Sequence, residues 1–216
     1  LRNVEKISGI NRIEVLDELK LLLADDEILY NCPDKKQELL MSYAKACENC
    51  TSGGTVLVPI AAICENLEHK AEWMMKNIRE NELISDGTDG GWFNGYYDNN
   101  GRPVERCESG DVRMMLTGQV FAIMSGTAKK EQIKAICNSA DKYLFEQKAG
   151  GYRLNTDFKE EKFDLGRMFG FAYGEKENGA VFSHMAVMYA NALYKQGFWH
   201  QATTWICSTC RDISLV

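Results

Sequence analysis

Residues 86–101 read DGTDGGWFNGYYDNNG, and no other stretch restricts the fold as much. Glycines interrupt aspartates (Asp86, Asp89, Asp98), asparagines (Asn94, Asn99, Asn100) and rings (Trp92, Tyr96, Tyr97), a mixture that suits neither a helix nor a buried strand. The chain must pass through here as a long loop that displays side chains. Flat aromatic faces beside carboxylates and amides are what a sugar cleft needs, because a pyranose has an apolar face to stack on and a rim of hydroxyls to hydrogen-bond. One of the aspartates is then a candidate proton donor.

The segments around this loop read as helices, and the expected fold class is all-α with no period-2 strand. Arg12–Ala24 carries Ile13, Leu16, Leu19 and Leu23 at near-helical spacing, and Pro33 can start a second helix to about Asn49. After the turn TSGGT (51–55), Ile60, Ile63, Cys64, Leu67, Ala71, Met74, Met75 and Ile78 mark a helix over 56–84, with Pro59 tolerated in its first turn. Further helices are expected over 111–125, over 129–147 with Thr127 as its cap, over 180–196 and near 198–210. Connections alternate short (51–55, 126–128, 197) and long (85–110, 149–179). In a stack of antiparallel helices alternate connections emerge at one end, so the two long ones share a face. The architecture expected is a partial (α/α)6 toroid, taken as a single domain over 1–216.

Composition narrows the function classes. The 216 residues are 45% hydrophobic and 26% charged, an ordinary globular mixture, and the net charge of −6 with no Lys/Arg cluster argues against nucleic acid as a partner. No apolar run reaches the length of a membrane span and the N-terminus lacks a signal-peptide layout, so no membrane partner is expected and the cytoplasm is the default address. The first residue is Leu, which suggests a processed or cut piece of a longer chain. Cys47/Cys50 and Cys207/Cys210 are spaced C-x-x-C, but the pairs are remote and lack the tight turns of zinc knuckles. Reduced thiols are the expectation, and no metal.

Five stretches in order, DGTDGGWFNGYYDNNGRPVE, GDVRMMLTGQVFAIMSGTA, GGYRLNTDF, DLGRMFGFAYG and KENGAVFSHMAVMYANALYKQGF, together resemble the C-terminal half of the (α/α)6 barrel of inverting disaccharide and oligosaccharide phosphorylases. These form the cellobiose phosphorylase group, glycoside hydrolase family 94, and the wording is most similar to the β-1,2-oligoglucan phosphorylase branch. The resemblance covers about residues 34–198. It implies phosphorolysis of a β-linked gluco-oligosaccharide: phosphate attacks the anomeric carbon while one carboxylic acid protonates the leaving oxygen, giving an inverted sugar 1-phosphate. No cofactor is implied beyond inorganic phosphate as co-substrate. An inverting hydrolase would instead need a second carboxylate to activate water.

By the same resemblance the general acid lies in the D-G-x-W loop, Asp89-Gly90-Gly91-Trp92, with Asp98 as the other candidate. Glu177 of Lys176-Glu177-Asn178-Gly179 contacts the acceptor-side sugar, and His184 helps to hold phosphate. Trp92, Tyr96 and Arg153 are candidate sugar contacts; Arg153, Asn155 and Asp157 either line the cleft or brace one long loop against the other, and bracing is the expectation for Asp157. Each has a structural alternative: Asp89 can order a turn, the rings can pack the loop, Glu177 can cap a helix, and His184 can be an ordinary core residue. The methionines Met114, Met115, Met185 and Met188 read as core. Beyond Phe198 the tail departs from the family, and phosphate-site segments fall outside both ends of the chain. The expected protein partners are therefore the rest of a parent enzyme or a second copy. The alternatives are a silent carbohydrate-binding fragment and a hydrolase of similar fold with Glu177 or Asp157 as base.

Overall fold

The computed structural model describes residues 1–108 and 110–203, and these fall into two compact units, Leu1–Lys76 and the residues from Asn77 onward. In the first unit, α1 (Arg2–Ser8) stops at Gly9, whose left-handed backbone closes the helix end. The chain then forms β1 (Arg12–Leu16), a 3₁₀ segment (Asp17–Leu23), α2 (Glu27–Asn31), α3 (Pro33–Cys47) and β2 (Thr55–Pro59), and enters α4 (Ile60–Asn81). β1 and β2 pair antiparallel from Arg12↔Pro59 to Leu16↔Thr55.

This ladder corrects the expectation of a helix over Arg12–Ala24. Ile13 and Val15 on β1, and Val56 and Val58 on β2, take one face of a two-stranded ribbon while their neighbours are exposed. Four β-branched residues at alternate positions pack better on a pleated surface than in a helix, where their χ1 freedom is lost. Pro59 ends the strand rather than sitting in the first turn of α4. α3 keeps Pro33 at its start, where a missing N–H costs nothing.

The second unit alternates short hairpins with helices. β3 (Leu83–Ser85) pairs with β4 (Gly91–Phe93), β5 (Arg106–Glu108) with β6 (Asp111–Arg113), and β7 (Phe145–Glu146) with β8 (Gly151–Tyr152). Between and after them lie α5 (Leu116–Met124), α6 (Lys130–Tyr143) and α7 (Ser183–Lys195). The fold is largely helical, but the all-α expectation is corrected: strands make four two-stranded antiparallel ladders among the described residues. Residues 111–113 are strand, so the inner helix starts only at Leu116, and α6 ends at Tyr143 because residues 145–146 are taken into a ladder. Thr127 is buried and bonded to Ser125, and the cap of α6 is Lys129, whose backbone N–H donates to the Gln132 side chain. A last helix near 198–210 and the pair Cys207/Cys210 reach outside the described residues.

One apolar cluster joins Trp92 and Phe93 of β4 to Leu116, Val120 and Ile123 of α5, Ile133, Ile136 and Ala140 of α6, and Tyr189 and Leu193 of α7. A smaller cluster, Val104, Phe158, Leu165 and Phe169, underlies the two long connections. Ile136 is fully buried and Lys134, two residues away on α6, is exposed. Ile136→Ala is expected to cost about 2–5 kcal/mol in urea unfolding followed by circular dichroism. Lys134→Ala should stay within about 0.5 kcal/mol.

Candidate active site

The connection over 94–106 carries few apolar residues, so polar bonds have to position it, and polar bonds also pin the one over 151–179. Gln119, fully buried on α5, grips the end of β4: its Oε1 accepts the Phe93 N–H at 2.8 Å and its Nε2 donates to the Phe93 carbonyl at 2.8 Å. Beside it Glu105, 1% exposed, accepts the Gly95 N–H at 3.0 Å on Oε1 and the Met115 N–H at 2.8 Å on Oε2. Asn94 accepts the Glu105 N–H at 3.2 Å and donates to Glu82, which also accepts from the Tyr97 hydroxyl. These bonds hold residues 93–97 over the start of α5. Burial pushes the Glu105 carboxyl up to about 8, against the Met115 and Gly95 N–H groups, which favour the anion.

The second connection is pinned in the same manner. Asn155, fully buried, donates to Asn178 Oδ1 at 3.1 Å and to the Thr156 carbonyl at 2.9 Å, and its Oδ1 accepts the Gly179 N–H at 2.7 Å. Residues 175–178 form a tight turn with Lys176 at positive φ. Gly179 is required here, because its φ is +76° and a Cβ would overlap the Tyr173 ring. Arg153 donates to the Gly179 carbonyl at 2.8 Å, pairs with Glu146 at 2.9 Å and lies over the Tyr173 ring. Its guanidinium braces the loop.

Between the two connections lies a cavity of about 310 Å³, lined by Tyr96 and Val104 from the first, Met115 just before α5 and Thr117 within it, and Leu154, Asn155, Leu165, Met168 and Glu177 from the second. Tyr96 is half exposed and its hydroxyl donates to the Leu165 carbonyl at 3.4 Å. Glu177 Oε2 is buried with no hydrogen-bond partner, while Oε1 is 3.5 Å from Arg167. An aromatic face, a hydroxyl, an amide and a carboxylate thus surround a largely apolar floor, a composition able to hold a sugar ring.

The predicted site residues divide. Tyr96 and Glu177 line the cavity; Trp92, Arg153, His184, Asp89 and Asp98 do not. Trp92 is fully buried in the apolar cluster, its indole N–H donating to the Arg113 carbonyl at 3.0 Å. Asp89 is exposed on the β3–β4 turn, where its carboxylate accepts from Asn138 of α6 at 2.9 Å. Asp98 ties the hairpin tip, accepting the Asn100 and Arg102 N–H groups at 2.8 and 2.9 Å, and the Arg102 bond above all holds its carboxyl below the ordinary range. Asp86 is a second turn knot, lowered first by the Thr88 hydroxyl and further by Lys142 and Gly90. His184 is exposed at the start of α7, and Asp157 is exposed and accepts the Lys159 N–H. Glu105 and Gln119 carry no signal in the sequence, where nothing distinguishes a lone Glu in RPVERCE from a surface residue. Among the described residues no group of three or more His, Cys, Asp or Glu is arranged to hold a metal, and no helix is long and apolar enough to cross a membrane.

Residues 61–204 match the catalytic-domain profile of the glycosyl hydrolase 94 superfamily. The chain belongs to that superfamily. N,N'-diacetylchitobiose phosphorylase of Vibrio proteolyticus is 31% identical over 115 residues, which is 51% of this chain and 14% of that protein. Solabiose phosphorylase of Paenibacillus borealis is 29% identical over 108 residues, 50% of this chain and 14% of that protein. Cellobionic acid phosphorylase of Neurospora crassa is 30% identical over 122 residues, 56% of this chain and 15% of that protein. The chain spans only a small part of these relatives' length. The cavity lies wholly within the stretch that matches the superfamily.

Two measurements probe this site without substrate. The folded state holds the Glu105 proton more tightly than an unfolded chain, whose ordinary value is 4.5. The stability contributed by Glu105 is therefore fully present below that value and is lost as pH rises through about 8. A melting temperature that declines from pH 5 to 9 in the parent and is flatter in Glu105→Gln is expected from thermal scans. Gly179→Ala should lower stability by about 1–3 kcal/mol in urea, through left-handed strain and the Tyr173 overlap.

Proposed function

We propose that this chain forms part of the sugar site of an inverting glycoside phosphorylase, which cleaves a β-linked gluco-oligosaccharide with inorganic phosphate to give a sugar 1-phosphate. The observation that carries the reading is the cavity in which Tyr96 of one long connection meets Glu177 of the other, inside a superfamily segment whose relatives are phosphorylases. Tyr96 offers its ring to a pyranose, and Glu177, which lines the same cavity, offers its carboxylate to sugar hydroxyls. His184, at the opening of α7, is the candidate phosphate contact. The second unit is read as a segment of an (α/α)6 barrel, and the β-1,2-oligoglucan branch as the nearest in wording. The rest of a parent enzyme or a second copy of the chain would supply what the barrel lacks.

For the general acid the geometry favours Asp98, which shares a hairpin with Tyr96, over Asp89, which is tied to α6 through Asn138. Because neither His184 nor any Lys or Arg among the described residues lines the cavity, a sugar-binding segment without phosphate chemistry is the second reading.

The test is to incubate the chain with β-1,2-gluco-oligosaccharides, and separately with cellobiose, with and without phosphate, and to assay glucose 1-phosphate. Phosphate-dependent product is expected, reduced on the order of 10²–10⁴-fold in Asp98→Asn and retained in Asp89→Asn. Free glucose formed without phosphate would point to a hydrolase with Glu177 or Asp157 as base. Bound sugar with no product would favour the silent binding segment.

A further inference from the structure

Three Asn-Gly steps occur in the chain: Asn94-Gly95, Asn100-Gly101 and Asn178-Gly179. Such a step is open to intramolecular attack, because the glycine that follows has no Cβ to shield its backbone nitrogen. The fold treats the three differently. Asn94 and Asn178 are buried, at 6% and 8% exposure, and at both steps the amide and the attacking nitrogen are already engaged. The Asn94 amide donates to Glu82 and accepts the Glu105 N–H, while Glu105 holds the Gly95 N–H. The Asn178 amide donates to the Phe171 carbonyl and accepts from Asn155, whose own Oδ1 holds the Gly179 N–H. Asn100 and Gly101 instead stand exposed at the tip of the hairpin closed by Tyr97↔Pro103. Among the described residues the Asn100 side chain makes no hydrogen bond, and nothing crowds the position a Gly101 Cβ would take within 4 Å. Only the exposed bond from the Gly101 N–H to the Asp98 carbonyl, at 2.9 Å, has to open before attack.

From this contrast we propose that Asn100 is a self-modification site, at which the folded chain deamidates through a succinimide while Asn94 and Asn178 are protected. The Gly101 nitrogen forms a bond to Asn100 Cγ, the Cγ–Nδ2 bond breaks, and ammonia leaves with the proton that the Gly101 nitrogen gives up. Water then opens the ring at either carbonyl, leaving aspartate or isoaspartate. The isoaspartate route matters for the candidate acid, because it carries the main chain through Cβ and lengthens the tip by one atom. Asp98 Oδ1 accepts the Asn100 and Arg102 N–H groups across that tip, and a longer backbone cannot keep both in register. Modification therefore unties Asp98 and sets a new carboxylate beside it. None of this depends on reading the cavity as a sugar site.

The experiment is incubation of the chain at pH 7 and 37 °C, where Glu105 still keeps its proton, followed by proteolysis and fragmentation mass spectrometry that locates each new acid. Acid at position 100 is expected to accumulate at least about tenfold faster than at 94 or 178, and in urea the three rates should converge to within about threefold. Asn100→Gln, whose longer side chain cyclises poorly, should remove the signal. Comparable rates at the three steps of the folded chain, or an amide at 100 that outlasts those at 94 and 178, would overturn the proposal. In the isolated isoaspartate fraction, amide hydrogen exchange at Arg102 should be about tenfold faster than in the unmodified chain. Unchanged exchange there would overturn the release of Asp98.

Discussion

Two buried polar side chains, Gln119 and Glu105, set the geometry on which the site depends. Both are at most 1% exposed, so neither can turn to water for its bonds, and each must find them in the protein. Their partners are backbone groups of three segments: Phe93 at the end of β4, Gly95 in the loop, and Met115 at the entrance to α5. Moving the loop by a residue would strand a buried amide and a carboxylate together, at about 1–3 kcal/mol for each unmet group. A glycine-rich stretch with little to bury is thereby given one register. Tyr96 inherits its position at the cavity from that register.

The second connection solves the same difficulty chiefly with the amides of Asn155 and Asn178. Asn155 and Asn178 close on each other across the loop, and Arg153 holds Gly179 from outside. The small cluster of Val104, Phe158, Leu165 and Phe169 supplies what hydrophobic support there is. Glu105 is tolerated because two backbone donors aim at its oxygens and because burial holds its proton up to about pH 8.

How much of this can be read from the residues follows from where each partner lies. α3, α4, α6 and α7 repeat their apolar positions at helical spacing, and that local signal is enough to find them. β1 is different, because Ile13 and Val15 gain a pleated surface only from Val56 and Val58, more than forty residues on, and a local window sees instead the helical spacing of Ile13, Leu16 and Leu19. The two-residue and three-residue ladders carry no periodicity at all. The alternation of loop lengths does put both long connections at one site, and residues from both line the cavity. Inside the D-G-x-W stretch the limits are sharper. Trp92 has the composition of a sugar platform, yet its indole N–H finds the Arg113 carbonyl and its ring belongs to the core. Aromatic identity does not say which way a ring faces.

The aspartates show why a motif alone does not assign a proton donor. Asp86 and Asp98 each accept backbone N–H groups from the turns they initiate, and those bonds favour the ionised carboxylate. A general acid has to start protonated. For Asp98 to serve, the Asn100 and Arg102 bonds have to be exchanged for a donor role toward the glycosidic oxygen, or a negative charge has to arrive close enough to offset them. Phosphate is such a charge. An anion entering beside the hairpin tip opposes ionisation of the carboxyl and raises its pKa, so the acid would become competent only with the nucleophile in place. The turn that keeps Asp98 ionised in the free protein would then act against glycoside protonation in the absence of phosphate, which is the chemical distinction between a phosphorylase and a hydrolase.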